Sequence, residues 1–331
     1  MRVSLADDRG VRWLLRSKDP SVRYLTHTDL LGSPFDSPEV RHTKRQIAYS
    51  PKVQALLAGQ RTDGGFGVHP YQKWAGAHWR LVSLVELAVP SGCKKAVKAT
   101  RQVLRWLYSE KHRRSIKTIN GLVRRDASQE GNALGVCSYL GMFGSPEVQG
   151  LAESLAGWQW PDGGWNCDKR PEATHSSFYE SLTPLWGLLL YHNATGDREA
   201  RRAADRAAEF FLRHRLFRSH RDGTIIDNDW LKLHYPLYWH YDILQALRVL
   251  SLAERLRDER ASEALDVIES KRSSEGLWVT EGCYWNLRRK VPVRGKGPIV
   301  SNVEVVDWGR HGPNEMLTLN ALRVLKASRR I

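Results

Sequence analysis

The nine residues His234-Tyr235-Pro236-Leu237-Tyr238-Trp239-His240-Tyr241-Asp242 hold two histidines, three tyrosines, one tryptophan and a carboxylate. Side chains of this kind pair an apolar body with a polar tip that needs a partner, so their density points to the lining of a site rather than to plain core. Such a lining can hold an apolar substrate, stabilise a cation on an aromatic face and move a proton. Asp242 and Glu180 are the candidate acids, because a buried or crowded carboxyl keeps its proton towards neutral pH. His175 and His240 are candidate proton carriers. His175 and Tyr179 are one helical turn apart, which predicts that both face the same side beside Glu180. Trp74, His78, Trp79 and Arg80 form a second group. Asn132, Tyr179, Tyr238, Trp239, Tyr241, Tyr284, Trp285, Trp308, His311 and Glu315 complete the candidate substrate-binding set. Each histidine taken alone reads equally as a core or capping residue. The acids Glu180, Asp242 and Glu315 read equally as first-turn residues favoured by the helix dipole.

These residues recur because the chain repeats. Gln60-Arg61-Thr62-Asp63-Gly64-Gly65-Phe66 and Gln159-Trp160-Pro161-Asp162-Gly163-Gly164-Trp165 share the pattern Gln-x-x-Asp-Gly-Gly-aromatic, and Glu275-Gly276-Leu277-Trp278 and Asp222-Gly223-Thr224 are weaker copies. Asp-Gly is turn chemistry: glycine accepts positive φ and the aspartate caps its own backbone. A helix-period apolar segment precedes each turn and a more uniformly apolar one follows. In the following segments a polar anchor sits two residues before an aliphatic. The anchors Asp29, Arg80, Asn132, Glu180, Asp242 and Glu315 follow one another at 51, 52, 48, 62 and 73 residues. Six outer–inner helix pairs predict an all-α (α/α)6 toroid spanning 1–331 as one domain, with an inserted loop at 287–310 over one mouth. An open solenoid uses the same repeat logic.

Hydrophobic residues make up 41% and charged residues 26%, which excludes a mostly disordered chain. No apolar run is long enough for a membrane-spanning helix, and Asp7 and Asp8 interrupt any signal-peptide core, so a cytoplasmic protein is expected. Fifty-one basic against thirty-six acidic residues leave a net charge of +15, which favours an anionic partner or simply a solvated basic surface. No nucleic-acid motif is present. The four cysteines are widely separated, so free thiols are expected. His175, Asp168, Cys167 and His240 are usable metal ligands without a recognised spacing, and neither metal nor cofactor is expected.

The Gln-x-x-Asp-Gly-Gly-aromatic turn ahead of an apolar helix resembles the QW repeat of the prenyltransferase and squalene-cyclase superfamily. The stretch Asp162–Pro171 through His175–Tyr179 is also similar to a protein-prenyltransferase β-subunit repeat. The resemblance implies an (α/α)6 barrel whose cavity holds an isoprenoid-type substrate, with acid-assisted chemistry. Two departures stand out. Asp227-Asn228-Asp229-Trp230 lacks the paired acids of the cyclase Asp-x-Asp-Asp motif, and Cys167-Asp168 does not reproduce the Asp-x-Cys of the prenyltransferase zinc site. Arg80, Lys73 and Arg170 are available for a diphosphate. Two other functions fit the same residues: an (α/α)6 lyase or hydrolase acting on an anionic saccharide, and a non-catalytic helical-repeat binder of an acidic partner.

Overall fold

A computed structural model describes residues 5–287 and 303–331, and these are mostly helical. The helices are α1 Arg9–Leu15, α2 Pro20–Leu25, α3 Pro38–Ile47, α4 Pro51–Leu57, α5 Ala77–Glu86, α6 Lys94–Leu107, α7 Glu110–Arg113, α8 Ala127–Tyr139, α9 Pro146–Trp158, α10 Phe178–Thr195, α11 Arg198–Arg213, α12 Ile243–Leu252, α13 Ser262–Ser270 and α14 Glu315–Ala327. Ser50, Asp197 and Asp19 accept backbone N–H groups at the starts of α4, α11 and α2, and a proline follows the cap in α2 and α4. No helix among the described residues is long and apolar enough to cross a membrane.

Burial separates two kinds of helix. α11 is amphipathic: it buries Ala200, Ala203, Ala204, Ala207 and Phe211 and turns its arginines outward. α8 is buried without a break from Ala127 to Ser138, although its sequence is rich in Gly, Ser and Asn. The inner helices pack in the order α2, α14, α12, α10, α8, α5, while α6, α9, α11 and α13 lie against them from outside. The α8–α10 pair comes especially close at Gly131 and Gly187. A methyl group on Gly131 would fall on the backbone of Thr183 and Pro184, and one on Gly187 would fall on the Gly131 carbonyl.

The repeated turns do the same job in each copy. Arg61 N–H donates to the Gly65 carbonyl, and Trp160 N–H to that of Gly164, at 2.8 Å in both; Ser273 N–H donates to Leu277 at 3.0 Å. Gln60 donates to the carbonyls of Gly64 and of Lys95 in α6, and Gln159 to those of Gly163 and of Ala203 in α11. Gly64 (φ 92°) and Gly163 (φ 101°) press against the carbonyls of Lys98 and Arg206, where a Cβ has no room. Trp165 Nε1 reaches back to Leu155 in α9, and Trp278 Nε1 to Ile268 in α13. The Trp278 copy has lost the glutamine and docks on α1, where Arg9 donates to the Ser274 carbonyl and Arg272 pairs with Asp8. The last repeat therefore packs on the first helix.

Two expectations are corrected. Asp29 is not the first anchor: it pairs with Arg323 and its carbonyl accepts from Lys326, at the C-terminal end of α14, and Asp19 caps the first inner helix instead. The anchors share no single register position, because Asp242 is an N-cap, Glu180 lies in the first turn and Asn132 is the sixth residue of α8. A hairpin of β1 Lys117–Ile119 and β2 Leu122–Arg124 forms around Asn120-Gly121, both at positive φ. The expected loop 287–310 lies mostly outside the described residues. Its two feet, β3 Asn286–Leu287 and β4 Val303–Glu304, pair in parallel, and Trp74 N–H donates to Val303 at 3.0 Å.

Gly131→Ala is expected to destabilise by about 1–3 kcal/mol through overpacking. Gly157→Ala in α9, where a Cβ meets nothing within 4 Å, is expected to be neutral or to stabilise by up to about 1 kcal/mol. Urea melts of the two variants check the contrast.

Candidate functional site

The starts of α8 and α10 and the segment before α12 bring one carboxyl to the base of a cluster of aromatic side chains. Glu180, in the first turn of α10, is 2% exposed. It accepts from the Ser128 N–H at 3.0 Å and from Trp239 Nε1 at 3.1 Å. Burial raises its pKa; the two donors oppose the rise and the nearby Asp126 carboxylate adds to it. The walls are half-buried: Trp239 stacks on Tyr179 at 4.7 Å between centroids, and the Lys73 ammonium sits 4.6 Å from the Trp239 ring and 5.3 Å from that of Trp74. Burial lowers the Lys73 pKa and the Glu180 charge partly restores it. Trp230 Nε1 donates to the Tyr179 hydroxyl.

A second aromatic pair adjoins this wall. His240 stacks on Tyr284 at 3.7 Å, and Tyr284 meets His234 edge-on. Burial, with His234 and Lys73 nearby, depresses the His240 pKa to about 3, so its imidazole is neutral at physiological pH. His234 Nδ1 lies 3.0 Å from Asp242. Burial alone would lower the His234 pKa, but the Asp242 carboxylate outweighs it and the result is raised. Asp242 is fully buried and also accepts from Gln245 N–H at 2.8 Å, so it is an N-cap and a counter-ion.

The structure thus brings together Glu180, Tyr179, Trp239, His240, Tyr284 and Trp74 from the sequence-derived set. It sets others apart. His175 is exposed in the loop before α10, which starts at Phe178, so it does not share a helical face with Tyr179. Arg80 is committed to the carbonyls of Leu56, Ala58 and Ala75 and lies over Phe66, so it is not free to clamp an anion. His78 is buried against Asn132 and its pKa is lowered to about 3 by burial, which makes it a neutral core histidine. Trp79 Nε1, Tyr241 OH and Trp285 Nε1 each bond a backbone carbonyl in the core. Trp308 is buried against Tyr235. His311 is exposed, and Glu315 is half-buried beside Asn314, which does the capping of α14.

Behind the Trp74 ring the interior is occupied: Tyr238 stacks on it at 4.3 Å, and Tyr235 and Tyr238 are both buried. Arg248 of α12 pairs at 3.0 Å with Glu86 of α5, joining two inner helices that do not pack side by side.

Sequence reasoning passed over Asp126 and Cys167 as partners of Glu180. Their ligand atoms and that of Glu180 all lie within 4.8 Å of one another. Burial and the Glu180 and Asp126 charges push the Cys167 thiol up to about 12, so a cation held here would have to displace its proton. Loops from separate repeats supply both residues, and no local spacing announces them. Glu304 falls within the segment 287–310, which the sequence marks only as an inserted loop. It is 2% exposed at the foot of β4, and burial lifts its pKa to about 7 despite bonds from Val305 and Val306.

No protein-family model matches the chain, and no curated protein matches it significantly. Among solved structures it is similar to one described as a protein from Actinoplanes, at 16% identity over 97% of this chain and 98% of that one, with a TM-score of 0.44.

A buried carboxyl with a raised pKa stabilises the fold while protonated. For Glu304 that contribution is complete below the ordinary glutamate pKa of 4.5 and is lost as pH rises through about 7. The shift corresponds to roughly 3 kcal/mol. Thermal melts between pH 5 and 8 should therefore fall with pH, and Glu304→Gln should flatten the slope.

Proposed function

We propose that the helix pairs close into an (α/α)6 ring and that the recess at its inner-helix N-termini carries out acid-assisted chemistry on an isoprenoid-type molecule bearing an anionic group. The ring is supported by the packing order from α2 through α14 to α5 and by the docking of the last turn on α1. In such a ring α5 and α12 stand opposite each other, so the Glu86–Arg248 pair crosses the bore. The substrate class follows the sequence resemblance to the prenyltransferase and squalene-cyclase superfamily.

The observation that carries the reading is Glu180 itself: a carboxyl with a raised pKa at the base of an aromatic wall. Glu180 delivers its proton to an alkene or a leaving group. The carboxylate left behind is held by Ser128 N–H and Trp239 Nε1, the same donors that already bond it, so little has to reorganise. The Trp239 and Tyr179 rings take up developing positive charge. Lys73, charged and half-buried, holds the anionic group of the substrate. The substrate lies against the Trp239 and Tyr179 side of the cluster, with Tyr238 buried behind Trp74.

One observation favours a second reading. Oxygens of Glu180 and Asp126 approach within 4.8 Å, near the carboxyl separation of retaining glycosidases, with one acid buried and the other half-exposed. A saccharide could stack on Trp239 and Tyr179.

Incubation with prenyl diphosphates, free terpenoids and anionic oligosaccharides, with products followed by mass spectrometry, separates the readings. Glu180→Gln should lower kcat by about 10²–10⁴ with little change in binding. Lys73→Met should weaken binding of diphosphates and not of free terpenoids. Turnover should fall as pH rises through the raised Glu180 pKa. Full turnover by Glu180→Gln would overturn the proposal, and turnover of oligosaccharides alone would favour the second reading.

A further inference from the structure

The Tyr235–Tyr238 segment has a far side, turned away from the recess. There a cavity of ≈ 50 Å³ lies between α5, α8, α10 and α12. Besides Glu86 Oε2, which is ion-paired with Arg248, four polar atoms on its lining residues are buried and have no hydrogen-bond partner among the described residues: Ser83 Oγ, the hydroxyls of Tyr235 and Tyr238, and Gln245 Oε1. Ser83, Tyr235 and Tyr238 are 1%, 1% and 3% exposed. Buried tyrosines elsewhere in this protein do find partners: Tyr241 bonds the Leu216 carbonyl at 2.6 Å, and Tyr139 bonds that of Val89 at 2.9 Å. A buried hydroxyl without a partner costs stability, and four polar groups around one small space form a set that a ligand's own hydroxyls can satisfy.

The cavity adjoins a groove. Arg248 and Leu252 also line this groove of ≈ 480 Å³ at the C-terminal ends of α12 and α14, and Leu252 is 42% exposed at its edge. The groove adds Arg323, whose Nε has no partner among the described residues while its terminal nitrogens bond Asn320 and Asp29, and Lys326, which bonds the Asp29 carbonyl. Three cations, Arg248, Arg323 and Lys326, face two carboxylates, Glu86 and Asp29, which leaves one positive charge over. Basic residues in a last helical turn also complement the helix dipole. That accounts for their sign but not for the unpartnered groups behind them.

We propose that this chamber and groove form a second ligand site, separate from the Glu180 recess, for a compact polyol bearing one phosphate or carboxylate. The hydroxyls meet Tyr235, Tyr238, Ser83 and Gln245, and the anionic group meets Arg323 and Lys326. The site does not depend on the function proposed for the recess, because the Tyr235–Tyr238 segment lies between the two.

Isothermal titration and thermal melts of the full chain test this with glycerol 3-phosphate and glycerate, using glycerol and inorganic phosphate as controls. Glycerol 3-phosphate or glycerate should bind at least tenfold more tightly than either control, and comparison of the two reports which anion is preferred. Tyr235→Phe should weaken that binding at least tenfold while the free variant melts no lower than the wild type, since it loses an unpartnered hydroxyl. Arg323→Gln should weaken both anionic probes and leave glycerol unchanged. Glu180→Gln should bind them as the wild type does. Absence of binding by both anionic probes, unchanged affinity in Tyr235→Phe, a markedly lower melt of the free Tyr235→Phe protein, or loss of binding in Glu180→Gln would each overturn the proposal.

Discussion

The docking of each glycine turn onto the next outer helix is the constraint on which the rest depends. Gly64 and Gly163 bring the turn backbone against helix carbonyls at a distance that no Cβ permits, and Gln60 and Gln159 tie the same turns to α6 and α11. The aromatic that follows then anchors the start of the inner helix: Trp165 N–H bonds Ser181 Oγ in α10, and Trp278 N–H bonds Thr318 Oγ1 in α14. The starts of α10 and α14 are therefore tied to their turns. With α10 held in this way, Glu180 in its first turn meets Ser128 of α8 and Trp239 of the segment before α12.

Burial then decides the charge states. Glu180 and Glu304 are raised, while His78 and His240 are depressed towards neutrality. In each case desolvation is the largest cause and hydrogen bonds or neighbouring charges only modify it. His234 is the exception: the Asp242 carboxylate at 3.0 Å, with smaller help from the backbone of Lys232 and Leu237, reverses the effect of burial. The two acids that looked alike in the sequence are thereby told apart. Asp242 is spent on a helix N-terminus and a histidine. Glu180 has two donors, yet these do not outweigh its burial, and it faces an aromatic wall.

The legible part of the sequence was the part with local chemistry. The two strong turns behave alike, and even the degenerate Glu275–Trp278 copy keeps the bonding pattern, because glycine and tryptophan carry it. Asn120-Gly121 signalled a hairpin that the helical repeat overshadowed. The Asp19-Pro20 pair held the start of the first inner helix, which anchor spacing placed wrongly at Asp29. His175 was put on a helix because a four-residue interval fits one, while the chain enters α10 only after Ser177. Asp126 could not be found by spacing, and Cys167 and Lys73, each named for other chemistry, could not be joined to Glu180, since three separate loops deliver them. Nor does composition reveal that Tyr235 and Tyr238, in the most site-like stretch of the chain, fill the interior instead of lining the recess.

The central claim is that burial keeps the Glu180 proton in place above the ordinary glutamate range and that the carboxyl can give it up. Infrared difference spectra of the wild type against Glu180→Gln test this directly, because a protonated carboxyl and a carboxylate absorb in separate regions. The account predicts a protonated-carboxyl band that disappears in Glu180→Gln and that titrates above the ordinary glutamate range. A Glu180 signal already in the carboxylate region at pH 5 would contradict it.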